Sequence, residues 1–354
     1  MRRTLDLFRP RDPATDAMAA LIAALVLTGL GIICVYSFGG AHVVRQAVWA
    51  VLGVFVCIGI SRVPTRLLRK AAGPALIAAG LLLLGALLFA PRIENTRRWL
   101  VIGSFGFFQP SEFAKLAVVL FLADRLSRRQ ERVSIRMAWP VGVICVLVVL
   151  APDLGTTAFL AAVAFALLLI AGARLRGVLT GAAIVLPALA LVASQYPYMK
   201  DRLQFFRGVR NFQQDQALVA LGSGGFMGNG LGAGRQKMEY LPAGHTDFVL
   251  PNVGEELGFI GVALVVALFA LIAIHGLRVA LAASKRDGFG FYLACGATFL
   301  VVFQAVVNIA VATAAAPTKG ISLPFLSQGG SNLFMALIAI GLIVQVGRTT
   351  ESRA

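Results

Sequence analysis

Apolar stretches long enough to cross a bilayer recur along almost the whole of this 354-residue chain, and that recurrence restricts it to one fold class. Inside hydrocarbon every backbone N–H and C=O must be satisfied by the chain itself, which leaves helices and closed barrels. A spanning helix needs about 20 mostly apolar residues, and uninterrupted runs of that length read as helices. The charged share is 14%, with 58% hydrophobic residues and a mean hydropathy of +0.84. A soluble chain carries about 25% charged residues. The expected fold is an all-α polytopic membrane protein, one membrane domain over 1–354. Breakers divide the runs into ten expected spans, at about 16–38, 44–62, 73–90, 111–126, 137–151, 154–172, 177–194, 252–275, 289–313 and 330–347. Glu112, Lys115 and Asp124 interrupt the fourth, and the fifth is short. No cleavable signal peptide is expected, because the first apolar run, behind Arg2, Arg3, Arg9 and Arg11, is long enough to span.

The net charge of +16 invites a nucleic-acid reading, and its distribution argues against one. With the N-terminus inside, 20 of the 32 cations fall on the inner side and 10 on the outer, while Arg45 and Lys115 lie at span edges. That excess follows the positive-inside rule and places both termini in the cytoplasm. The outer count is still high for translocated loops, and much of it lies in the connection at about 195–251. An anionic ligand or a solvated loop surface would each account for it. The four cysteines, Cys34, Cys57, Cys145 and Cys295, fall in apolar runs without a CxxC and read as packing residues. His42, His245 and His275 are far apart in sequence, which argues against a histidine metal cluster.

The 195–251 connection is too rich in aromatic residues, among them Tyr196, Phe205, Phe212 and Phe226, for a free linker. Short amphipathic helices packed over the bundle are expected there. Its glycine-dense centre, Gly222 to Lys237, could bring backbone N–H groups close to an anion, although turn geometry accounts for glycine as well. It lacks the GK[ST] ending of a Walker loop. The segment that follows, Tyr240-Leu-Pro-Ala-Gly-His-Thr-Asp-Phe-Val249, sets Asp247 beside His245 and Thr246 just before an apolar helix. Charged groups near a bilayer are costly and tend to be functional. Other polar points have a structural reading of equal weight. Glu112 and Lys115 are spaced for a local ion pair, Asp153 for a helix cap, and Glu255 and Glu256 for a first-turn dipole contact.

The joint order of these segments carries more information than any one of them. Arg45-Gln46, Arg98-Trp99, Gln109-Pro-Ser-Glu-Phe-Ala-Lys115, Pro152-Asp-Leu-Gly-Thr156, Gly230-Leu-Gly, His245-Thr-Asp-Phe248, Gly254-Glu-Glu-Leu-Gly258 and Pro317-Thr-Lys-Gly-Ile-Ser-Leu-Pro-Phe-Leu-Ser-Gln-Gly-Gly-Ser331 resemble the SEDS family of shape, elongation, division and sporulation proteins, over about residues 16–347. Pro317-Thr-Lys-Gly320 and the Gly-Leu-Gly…Gln-Lys pattern look like the division branch, FtsW-like, more than the elongation branch, RodA-like. The resemblance implies a ten-helix peptidoglycan glycosyltransferase of the bacterial cytoplasmic (inner) membrane, located at the division septum. It implies polymerisation of lipid II alongside a class B penicillin-binding protein and other divisome membrane proteins. It carries the family's catalytic aspartate onto Asp247. Three departures stand out: Ala243-Gly244 where a Glu usually precedes Ala-His-Thr-Asp, Gln328 for a usual Tyr, and Asn332 for a common second Ser. The Phe-Val-Leu-Pro-Asn stretch after Asp247 is also less typical than the family's apolar one.

The implied chemistry suits the residues. Chain growth joins a sugar hydroxyl to an anomeric carbon bearing a lipid diphosphate. The hydroxyl loses a proton in the transition state, so a carboxylate, Asp247, serves as general base. The departing diphosphate gains charge, so cations or a divalent metal ion (Mg or Mn) belong beside it. Arg45, Arg98, Lys115, Arg235, Lys237 and Lys319 are the diphosphate candidates by charge and expected outer-side position, with Glu112, His245, Thr246 and Ser327 completing the expected lipid II site. No nucleotide cofactor and no nucleic-acid partner are expected, since the substrate arrives activated. Two rivals remain at this stage: a transporter that flips lipid II, and a non-catalytic division scaffold.

Overall fold

The computed structural model describes residues 12–352, except 39, 93–95, 103–105, 129–132, 134, 178, 182, 184–186, 188–210, 236–243, 245 and 319. The chain is an α-helical polytopic membrane protein. Its elements in order are α1 (Pro13–Tyr36), α2 (Gly40–Ile60), α3 (Thr65–Phe89), a small antiparallel hairpin of β1 (Leu100–Ile102) and β2 (Gly106–Phe108), α4 (Pro110–Ser127), α5 (Trp139–Leu150), α6 (Leu154–Ile170), α7 (Phe212–Ser223), α8 (Val249–Ala283), α9 (Gly288–Ala312) and α10 (Gly330–Glu351). By length and composition α1, α2, α3, α8, α9 and α10 can each span a bilayer, while α5 and α6 are shorter apolar helices. The run at 177–194 lies for the most part outside the described residues. The hairpin, pairing Leu100 with Phe108, has no counterpart among the expected elements.

Local sequence sets the helix starts. Asp12 precedes Pro13 and accepts from the amides of Ala14 (3.4 Å) and Thr15 (3.1 Å). Asp153 takes the Thr156 amide at 3.0 Å and so caps α6, and Asn211 takes Gln214 at 3.0 Å in α7. Asp287 takes Phe289 and Gly290, both at 3.1 Å, in α9. Each supplies an acceptor for amides that the helix leaves unpaired. Pro110 opens α4, where its missing N–H costs nothing.

The core is a buried tract of Leu, Val, Ile and Ala, with α10 at its centre, 83% buried against 28% for α3. Between apolar helices in lipid, close backbone approach replaces the hydrophobic drive. Gly341 shows this: a methyl there would sit 2.8 Å from the Cys57 carbonyl of α2.

One helix is broken within its apolar run. In α8, Gly258 adopts φ 67°, ψ −164°, a left-handed conformation that favours glycine. The backbone groups around the break are met by the glycine-dense loop. Asn229 and Gly230 donate to the Glu255 and Glu256 carbonyls at 3.0 Å, and Phe259 donates to Gly225 at 2.9 Å. Gly228, also at positive φ, lies where a Cβ would reach 2.2 Å from the Glu256 oxygen. The loop's glycines therefore serve close approach to a helix backbone. The described part of that segment takes the turn and packing geometry that glycine also accounts for.

Candidate functional site

One end of the bundle opens into a polar cavity of ≈ 450 Å³. Its walls come from the segment before β1 (Thr96, Arg98, Trp99), the start of α4 (Gln109, Glu112, Lys115), the α5–α6 turn (Pro152 to Thr156), the segment before α8 (Thr246, Asp247, Phe248), and the α9–α10 connection (Thr318, Gly320, Ile321, Ser322, Gln328, Gly329) with the start of α10 (Ser331, Asn332). A second hollow of ≈ 180 Å³ adjoins it, sharing Trp99, Thr246, Gln328 and Gly329 and adding Arg45, Gln46 and Trp49.

The cavity floor is a buried polar network. The Lys115 ammonium lies 2.7 Å from Glu112 and donates to Gln304 Oε1 at 2.7 Å, 5.1 Å from the Phe159 ring centroid. The i,i+3 pair expected from spacing thus forms, and it forms inside the protein, where Lys115 is 3% exposed. Burial of this kind requires partners for both charges. Gln304 continues the network through Nε2 to the Ser322 carbonyl (2.9 Å) and Asn332 Oδ1 (3.0 Å). Asn332, where the family commonly has Ser, therefore joins the network.

Asp247 sits in the turn before α8. The N-cap position belongs to Phe248, which makes no side-chain cap bond, so Asp247 does not hold the cap position of α8. Its backbone carbonyl accepts from Asn308 Nδ2 at 2.8 Å, and the same amide donates to the Ile321 carbonyl at 2.8 Å. Asn308 thereby ties the Asp247 turn to the α9–α10 connection. Within that connection Gly320 faces the carboxyl, and a Cβ there would stand 3.3 Å from Asp247 Oδ2. Phe325, buried at φ 67°, is a strained position of the kind that needs its surroundings to hold it.

Of the residues expected in the site, Arg98, Glu112, Lys115, Thr246 and Asp247 line the main cavity and Arg45 the adjoining hollow. Arg98 also spends donors on the α5–α6 turn, with Nε 2.8 Å from the Ala151 carbonyl and its guanidinium bonded to the Pro152 carbonyl. Arg235 lines neither hollow: it is exposed, and its amide donates to Glu255 Oε1 at 2.7 Å, beside the α8 break. Ser327 also lines neither; its buried hydroxyl accepts from the Leu323 amide at 2.8 Å and shapes the connection. Lys237, His245 and Lys319 lie outside the described residues. Gln304 and Asn308 were not singled out in the sequence, although two amides four residues apart in an apolar run are themselves a signal. Glu255 and Glu256 are buried beside the break, with Ser37 donating to Glu256 Oε1 at 2.6 Å. Among the described residues no group of three or more His, Cys, Asp or Glu converges as a metal centre.

Residues 15–352 match the model of the FtsW/RodA/SpoVE family, described as cell cycle protein. The chain belongs to this family. It is 35% identical to the probable peptidoglycan glycosyltransferase FtsW of Trichlorobacter lovleyi, over 96% of this chain and 94% of that one. It is 36% identical to the protein of the same description from a Geobacter species, over 95% and 98%. Among solved structures, a chain from work on structural coordination of polymerization and crosslinking by a peptidoglycan synthase complex superposes with a TM-score of 0.79 at 27% identity, covering 94% of this chain and 97% of that one. The rod shape determining protein RodA of Thermus thermophilus superposes with a TM-score of 0.72 at 28% identity, covering 93% and 95%. The likeness in fold thus extends over nearly the whole length of the chain.

Proposed function

We propose that this chain is a peptidoglycan glycosyltransferase that polymerises lipid II in the cavity beside Asp247, as a division-type, FtsW-like member of its family. The observation that carries the reading is Asp247 on the wall of a polar hollow at the end of the bundle, in a chain whose relatives bear the glycosyltransferase name. The Asp247 carboxylate takes the proton of the attacking sugar hydroxyl. Arg98 and Arg45 face the diphosphate as charge develops on it, and Lys115 holds the floor of the cavity. A divalent cation, Mg or Mn, suits a cavity that sets Asp247 beside the paired Glu112 and the capping Asp153, since such ions are commonly bound by one or two carboxylates plus substrate phosphates. Asp247 would hold it and it would neutralise leaving-group charge. A class B penicillin-binding protein, with other divisome membrane proteins, completes the assembly at the division septum of the inner membrane; both termini are cytoplasmic. The described relative from a complex of polymerization and crosslinking supports a partnered enzyme.

Purified Asp247→Asn protein tests the assignment. Asn preserves size and hydrogen bonding but accepts no proton, and loss of a general base costs about 10²–10⁴-fold. Glycan-strand synthesis from lipid II is expected to fall by that factor while folding and partner binding persist. Wild-type polymerisation by the variant would remove Asp247 from the chemistry, and lipid II transfer without polymerisation by the wild type would favour a flippase.

A further inference from the structure

The opposite end of the bundle holds a second hollow, of ≈ 370 Å³, between the starts of α3 and α9 and the end of α4. It is lined by Thr65, Arg66, Arg69, Ser127, Arg286, Asp287, Gly288 and Phe289. Three guanidinium groups face one carboxylate there. Asp124, the acid paired with Arg69 (3.3 Å), is shared with Arg128 (2.8 Å), so it does not offset the lining arginines alone. Asp287 is occupied in capping α9. The start of α3 is different: its N-cap is Pro64, with no side-chain cap bond and no acidic residue in the first turn. Its first amides therefore leave a partial positive charge beside Arg66. Arg69 lies 5.5 Å from the Phe289 ring centroid, and stacking of this kind keeps a guanidinium in place. Arg286 is held by its bond to the Thr350 carbonyl at 3.4 Å.

We propose that this hollow is a binding site for a phosphate group, and that the headgroup of an anionic phospholipid occupies it. Planar guanidinium forks match phosphate oxygens, and basic pockets at helix ends on the membrane surface suit such headgroups. The exposed Leu67 beside Arg66 offers apolar surface for the acyl chains. A free phosphate ester has the same chemistry and no use for that surface. The site lies apart from the Asp247 cavity, and its occupancy is independent of the polymerisation reading.

The full chain in phosphatidylcholine micelles is titrated with phosphatidylglycerol, and separately with inorganic phosphate, with the unfolding temperature as readout. The expected result is saturable stabilisation by phosphatidylglycerol. Arg66→Gln with Arg286→Gln is expected to need at least about ten times more lipid for the same shift, the scale of a lost charge-assisted contact. Arg174→Gln with Arg176→Gln, exposed cations outside the hollow, is expected to titrate like the wild type. Should the pocket pair unfold without lipid, Arg66→Gln alone, at an exposed position, gives the same comparison. Saturation by inorganic phosphate at equal concentration would assign the site to a free phosphate ester. No stabilisation by either anion, or equal losses in the pocket and control pairs, would overturn the proposal.

Discussion

The two ends of the bundle carry charge in opposite ways. On the floor and wall of the Asp247 cavity three charges are sunk and partnered. Lys115, Glu112 and Asp153 are 3%, 8% and 9% exposed, and each is held by an ion pair, an amide or a hydroxyl. At the other end Arg66, Arg128, Lys285 and Arg286 are exposed. Asp16 and Arg278 repeat the buried pattern there, Asp16 bonded by His275 at 2.7 Å and Arg278 at 3.3 Å. A buried charge must be paired and hydrogen-bonded, so it fixes geometry. An exposed one keeps its freedom, reads the sign of the bilayer surface and orients the chain. Sequence charge counts see the second kind well and the first kind poorly.

The contrast predicts an all-or-none difference in accessibility. Single cysteines at Ser223, on α7 near the cavity end, and at Ser284, at the far end of α8, both replace exposed residues in an otherwise cysteine-free chain. In intact cells an impermeant thiol reagent is expected to label the first and spare the second. Labelling of both from outside would abolish the proposed orientation.

Stability should separate the ends next. Lys115→Ala strands the buried Glu112 carboxylate, and breaking a buried pair in this way costs about 3–5 kcal/mol. Lys285→Ala at the exposed end is expected to fall within about 0.5 kcal/mol. Unfolding in detergent measures both. Because the Lys115 variant loses fold as well as charge, its polymerisation rate is read against Lys115→Met with Glu112→Gln, in which neither partner is left charged. A Lys115→Ala variant as stable as Lys285→Ala would mean that the network is looser than its 2.7 Å contacts indicate.

A smaller effect belongs to Asn308. Its amide bridges the Asp247 and Ile321 carbonyls, and Asn308→Ala leaves both without that donor. Unmade buried hydrogen bonds cost about 1–3 kcal/mol. The turn that carries Asp247 is expected to loosen, so the polymerisation rate falls while lipid II binding changes less. Unchanged rate and stability would show that the α9–α10 connection is held by Gln304 and Asn332 alone.

The sequence exposed the helices because apolar length is a local property. Runs at 16–38, 44–62, 289–313 and 330–347 lie close to α1, α2, α9 and α10. It also marked Asp247, Arg98, Lys115 and Glu112, which share one cavity. What it hid was non-local. The break at Gly258 falls inside an expected span, just after Glu255-Glu256, and only the loop folded against it reveals why glycines cluster at 222–235. Glycine density reports that something comes close, not whether it is an anion or a carbonyl, and here Arg235 follows the loop to α8 instead of the cavity. Ser327 likewise has a role in the fold, since its hydroxyl closes a turn in the connection. Gln304 and Asn308 were visible as polar residues at helical spacing, but their partners on α4 and before α8 are set by packing alone.

The weakest test of the contrast lies at the exposed end, in Asp12. Its carboxylate caps α1 and accepts from the Thr15 hydroxyl, and that bond, ahead of the Thr15 and Ala14 amides, holds its pKa below the ordinary 3.8. A carboxyl depressed in the folded state contributes stability above its unfolded pKa and loses it as the pH falls through the folded value. The contribution is therefore present at pH 7 and fades below about pH 4. Asp12→Asn keeps the cap, since Asn serves there about as well as Asp, but has no charge to lose. Between pH 7 and pH 3 the wild type is expected to lose slightly more unfolding temperature than the variant, because both share every other titrating group. Because Asp12 is fully exposed, solvent screens its charge and the difference stays small. Identical losses in the two proteins would show that Asp12 acts through hydrogen-bond geometry alone, which would extend the contrast between the ends to its limit: partnered charge does work where it is buried and almost none where water reaches it.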